Sequence, residues 1–204
     1  MIVVTTPMCR QIVEWAGLKE FKVNKHPDEE EGDLAILLSE SKVEMDSLTV
    51  KLNTFSQIRE SILKVSDYCF SHGLIDSPTT ENDIDNIFSS YDLEFANLDD
   101  DELSKMRDEN SNRKFKVYSE FLKDIVLDIG ASVIDFSIYD EKTNDEKYDY
   151  VVYPDYLEEM VEKNEDLSDS SIGFIRIPSH TNVSKDPIER AEERYSILIN
   201  GLKD

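Results

Sequence analysis

Cysteine is the side chain in this sequence best suited to covalent chemistry, and Cys9 stands where such chemistry is favoured. It follows Met1 to Thr6, an apolar, β-branched run that reads as a buried strand. Thr6-Pro7 then switches the chain, since threonine suits an N-cap and proline the first helical position. Arg10 to Ala16 supplies Ile12, Val13, Trp15 and Ala16 for a short packed helix, and Gly17 ends it. Cys9 is therefore expected in the first turn of a helix, just past the carboxyl end of the first strand. Ligands of open α/β sheets bind at that end, and a helix start lowers a cysteine pKa toward the nucleophilic thiolate. Position alone favours a plainer role, because cysteine is among the most buried residue types and a small residue suits a tight strand–helix junction.

Polar clusters follow the other apolar strands too. Thr5 and Thr6 precede Cys9; Ser39 and Ser41 follow the third strand; Asn53, Thr54 and Ser56 follow the fourth; Ser179, His180, Thr181 and Asn182 follow the last. If the strands run parallel, these clusters converge on one crevice suited to a nucleotide-like ligand. Helix capping explains any one of them equally simply. The sequence contains no P-loop, no G-x-G-x-x-G after the first strand, no G-x-S-x-G and no H-E-x-x-H. Its histidines, His26, His72 and His180, lie far apart without metal-ligand spacing, so no metal site is expected. His180 as a base for Cys9 has nothing to bring the two together, and Cys69 lies on the apolar face of a helix as core.

The elements that must position these residues alternate along the chain. Strands are expected at Phe21–Asn24, Leu34–Leu38, Leu48–Leu52, Ala131–Ile138, Tyr150–Tyr153 and Ile172–Ile177. Helices are expected at Phe55–Ser71, Phe115–Ile129, Tyr156–Lys163 and, behind the Asp186-Pro187 start, to about Leu202. Residues Ser77 to Arg113 form an acidic helical excursion, and Asp140 to Asp149 a charged turn. The pattern is that of an α/β fold: one domain over residues 1–204 with a mostly parallel or mixed central sheet flanked by helices, the segment 77–113 inserted within it.

A formal net charge of -23, from 45 acids against 22 bases, argues against a nucleic-acid partner. No stretch approaches the roughly 18 apolar residues of a membrane span. There is no signal peptide and no disulfide framework, so a cytoplasmic location with reduced thiols is expected.

At MIVVTTPMCRQIVEWAGL, with Cys9 after a strand and Thr-Thr-Pro-Met, the sequence resembles the HcgF family of methanogenic archaea. That family belongs to the gene cluster that builds the iron-guanylylpyridinol cofactor of the iron-only hydrogenase. Chain length and acidic α/β character agree with it. The resemblance implies binding of guanylylpyridinol and a thioester between Cys9 and its carboxyl group, a precursor of the acyl ligand to iron. The carboxyl would arrive as an adenylate from the partner adenylyltransferase HcgE, with no tightly bound cofactor. On this reading Thr5, Thr6, Ser39, Ser41, Asn53, Thr54, Ser179 and Thr181 surround the guanylyl moiety, and a homodimer is one assembly it allows. Two alternatives stand beside it. One is a purine-nucleotide hydrolase or transferase using Asp33 or Glu40 to hold a metal. The other is a non-catalytic scaffold that presents the acidic segment 77–113 to a basic partner.

Overall fold

The computed structural model describes residues 1–135, 147–179 and 183–202. The fold is α/β, as expected, but two four-stranded sheets carry it rather than one central sheet. All pairings in both are parallel. The chain divides into two compact units, Met1–Ala96 with Ser184–Ala191, and Asn97–Val183 with Glu192–Asp204.

The first unit holds β1 (Val3–Thr5), α1 (Arg10–Trp15), β2 (Lys22–Val23), β3 (Leu34–Leu38), β4 (Ser47–Val50), α2 (Phe55–Ser71), α3 (Glu81–Ser89) and the start of α7 (Pro187–Gly201). The strand order is β2-β1-β3-β4. Leu34 to Leu37 are all buried, the pattern of a parallel strand covered on both faces. Ile12 and Val13 of α1 and Ile58, Ile62, Val65 and Cys69 of α2 pack with Val3, Leu34 and Ile36, and Ile188 and Ala191 of α7 complete this core. Gly17 ends α1 at a φ of 91°, in the left-handed region open to glycine. β3 and β4 are joined without a helix: residues 39–46 return the chain along the sheet. Eight extended residues reach about 26 Å, enough to pass a five-residue strand of about 16 Å.

The second unit holds α4 (Asp100–Asn110), β5 (Lys114–Val117), α5 (Glu120–Asp128), β6 (Ser132–Asp135), β7 (Tyr150–Pro154), α6 (Glu158–Asn164), β8 (Gly173–Ile177) and the rest of α7. Its order, β6-β5-β7-β8, repeats that of the first sheet. The helix expected over Phe115–Ile129 starts only at Glu120, because its first residues form the central strand β5. Phe115 and Val117 are buried, while Lys116, pointing to the other face, reaches Glu165 at 2.6 Å. The spacing of Phe115, Tyr118 and Leu122 imitates a helical stripe, and that period hid the alternation. Glu165 also accepts hydrogen bonds from the Tyr118 and Tyr148 hydroxyls. Asp128 receives those of Tyr195 and Arg107.

The acidic segment 77–113 is helical, as α3 and α4, each opened by a capping box, Thr80 with Asp83 and Asp99 with Glu102. It is not an excursion from one unit, since the boundary between the two falls inside it, after Ala96. The expected strand Ala131–Ile138 is seen as β6, and its end, with most of the turn Asp140–Asp149, lies outside the described residues. Among the described residues no helix is long and apolar enough to cross a membrane.

Candidate functional site

In the first sheet the carboxyl ends of four parallel strands share one edge. The chain leaves β1 toward β2 on one side, while β3 and β4 extend the sheet on the other. The gap between β1 and β3 is thus a topological switch point, where the loops diverge and leave a crevice. A cavity of about 340 Å³ lies there. Thr6 enters it from the exit of β1, Lys25, His26, Pro27 and Asp28 from the exit of β2, and Leu37, Ser41, Lys42 and Val43 from β3 and its exit.

The expected ligand residues separate into groups. Thr6 and Ser41 line the cavity. Thr5 does not, since its buried hydroxyl donates to the Ile36 carbonyl at 2.7 Å and ties β1 to β3. Ser39 continues the ladder, its N–H donating to the Val50 carbonyl at 3.0 Å. Asn53 and Thr54 open α2: the Asn53 N–H donates to Gln57 Oε1 at 3.2 Å, and Thr54 Oγ1 accepts the Gln57 N–H as N-cap. Ser179 belongs to the second unit, where its hydroxyl donates to Asp155 at 2.5 Å and holds that carboxyl below its usual range. Thr181 and His180 lie outside the described residues. The four clusters therefore do not form one crevice within a single sheet. Asp33 and Glu40 stand at opposite ends of β3, about 16 Å of strand apart, too far to share a metal ion. Lys25, His26 and Lys42 were missed, and the signal was present: basic residues shortly after strands in a chain with twice as many acids.

Cys9 is the N-cap of α1, but its environment is not that of a reactive thiol. The side chain is fully buried. Burial pushes the thiol from 9.0 up to about 11, against the opposing pull of a hydrogen bond with Thr6 and the charge of Arg190. The expected lowering fails for two reasons. A six-residue helix contributes a small dipole, and the sulfur points into the apolar core rather than toward solvent. Arg190 is itself buried, donating to the carbonyls of Ser184 at 2.9 Å and Lys185 at 3.3 Å. Beside it Asp186 caps α7, accepting from the Ile188 and Glu189 N–H groups and from Gln11 and Tyr91.

No protein-family model matches the chain, and no curated protein does. Solved structures do match over the full length. One is the laminin-binding adhesin Lmb of Streptococcus agalactiae, at 9% identity and TM-score 0.59 over 99% of each chain. Another is the laminin-binding protein Lbp of Streptococcus pyogenes, at 10% identity and TM-score 0.58 over 98% of each. A third is a mutant variant of Zn(II)-bound AdcAII of Streptococcus pneumoniae, at 13% identity and TM-score 0.54 over 100% of this chain and 99% of that one. The chain shares their fold. These matches correct the archaeal, hydrogenase-cofactor setting suggested by the opening residues, because the proteins that share the fold are bacterial adhesins and metal-binding proteins.

Proposed function

We propose that this protein binds a small molecule reversibly at the carboxyl edge of its first sheet, in the crevice where β1 and β3 part. The observation that carries the reading is the cavity of about 340 Å³ at that switch point, within the usual size of ligand pockets and lined by side chains from three strand exits. A protein whose matched structures include one described as Zn(II)-bound invites the idea of a metal as cargo. The donors do not fit it: among the described residues no group of three or more His, Cys, Asp or Glu side chains is placed to hold a metal ion. Burial of the Cys9 thiol favours non-covalent over covalent capture.

The test is a thermal-shift screen of small metabolites on the wild-type chain and on Ser41→Trp, which fills the cavity from an exposed loop position. A ligand at about a hundred times its Kd adds ~2.7 kcal/mol of stability, or roughly 5–10 °C in Tm for a chain of this length. We expect wild type and Cys9→Ala to be stabilised alike, and Ser41→Trp, itself as stable as wild type, not to respond. Stabilisation that survives Ser41→Trp removes the site. A mass gain on Cys9 in the intact protein replaces reversible binding with covalent capture.

A further inference from the structure

We propose that the ligand of the switch-point cavity is a small anion, a molecule carrying a phosphate or carboxylate group, held by Lys25, His26 and Lys42. This rests on the placement of the site proposed above and specifies what the site takes. The chain carries 45 acidic and 22 basic residues, so carboxylates outnumber the cations that could pair with them. Several cations pair with a carboxylate: Lys22 with Glu30, Arg59 with Asp85, Arg107 with Asp128 and Arg176 with Glu158. Lys25 and Lys42 are not among them. Both sit among acidic neighbours in sequence, Asp28 to Glu31 and Glu40 to Glu44, yet among the described residues neither ammonium group has an ion pair or hydrogen bond. They come from different strand exits and line the same cavity, as does His26.

One oxygen of the carboxylate at the cavity is hydrogen-bonded to backbone. Asp28 Oδ1 accepts the Glu44 N–H at 2.9 Å, an interaction that fastens the exit of β2 to the connection after β3 and so fixes the cavity walls. Leu37, Pro27 and Val43 give the cavity apolar lining. An apolar wall lowers the local dielectric and strengthens attraction between the lysines and an anion. The Ser41 hydroxyl adds an uncharged donor of the kind that orients phosphate or carboxylate oxygens. The volume lies at the lower end of the ligand-pocket range, which suits a compact metabolite rather than a polymer.

Four probes test this at constant ionic strength on the whole chain: inorganic phosphate, succinate, and the uncharged glycerol and succinamide. The readout is the backbone amide shifts of Thr6, Lys25, His26, Ser41 and Lys42. We expect at least one anion to move these amides saturably. Lys25→Gln and Lys42→Gln, both at exposed positions that leave the fold intact, should each weaken that midpoint about tenfold. Saturation by phosphate alone identifies a phosphate group, and by succinate alone a carboxylate. Equal shifts from the uncharged probes, no saturable shift from either anion, or a midpoint indifferent to both substitutions overturns the anion proposal. The site reading is judged separately by Ser41→Trp.

Discussion

The placement of Cys9 predicts a thiol that resists alkylation in the folded chain. With its pKa at about 11 instead of 9.0, the thiolate fraction near pH 7 falls about a hundredfold, to about one in ten thousand. A more basic thiolate is a better nucleophile, which returns about eightfold over two units. The net effect of charge is therefore about a tenfold slower reaction than in the unfolded chain, and complete burial slows it further by requiring the core to open. The assay is timed iodoacetamide labelling of the native chain and of the chain in urea, with peptide mass spectrometry reading Cys9 apart from Cys69. The native rate should lie at least about tenfold below the unfolded one and keep rising with pH past 10. The unfolded rate should level off near 9. A native rate that levels off below pH 9, or equals the unfolded rate, refutes the account of burial. The same shift sets a sign for stability. The folded state holds the thiol proton more tightly, so this contribution is complete below pH 9 and is lost as pH rises toward 11, by about 2.7 kcal/mol. Tyr91, Tyr118, Tyr148 and Tyr195 are raised by burial as well, so the loss continues at higher pH.

Gly130 has a φ of 89°, and a Cβ there would meet the Arg107 backbone at 2.5 Å, whereas Gly73, at 66°, has open space around it. Urea denaturation should show Gly130→Ala costing more than about 2 kcal/mol and Gly73→Ala about 1, and equal losses would exclude the close approach. In the second unit, Lys116→Met leaves the buried Glu165 carboxylate without its cation and should cost about 3–5 kcal/mol. Adding Glu165→Gln removes that charge while keeping an acceptor oxygen for one of the Tyr118 and Tyr148 hydroxyls and offering an amide donor to the other, so the double variant should be more stable than Lys116→Met alone. A double variant that is weaker still would mean the ion pair contributes less than the hydrogen bonds.

Much of the fold was legible because its signals are local. The helix Phe55–Ser71 appears over the expected residues, with Thr54 as its cap, and Asp186-Pro187 opens the last helix through hydrogen bonds from the Ile188 and Glu189 N–H groups. Leu34 to Leu38 is one strand, as a continuous apolar run bounded by polar residues implies. What could not be read was which strands pair. Two sheets of the same order and one sheet of eight strands show the same alternation along the chain, and only the register between distant residues, such as Val3 with Leu34 and Phe115 with Tyr150, distinguishes them. β5 was lost for a related reason, since four residues with one alternation cannot outweigh a following helix. At the site, hydroxyl residues were sought because they recur after strands, yet two of them serve the backbone: Thr5 bridges two strands and Thr54 caps a helix.

Cys9 and the cavity beside Thr6 show why proximity to a strand end does not by itself confer reactivity. Both lie just past β1, within four residues of each other in sequence. One side chain turns inward, where loss of water costs a charged sulfur more than a one-and-a-half-turn helix and a nearby guanidinium return, and the thiol stays protonated. The other, Thr6, hydrogen-bonds that thiol and also borders the gap that the parallel order opens between β1 and β3, a cavity lined as well by Lys25 and Lys42, which have no carboxylate partner among the described residues. Desolvation selects against an ion at the first position. At the second, solvent access and lysines with no ion pair among the described residues favour an ion of opposite sign. The chemistry at this edge therefore follows from which residues face the crevice, and the lysines after β2 and β3 bear more directly on the ligand than the cysteine after β1.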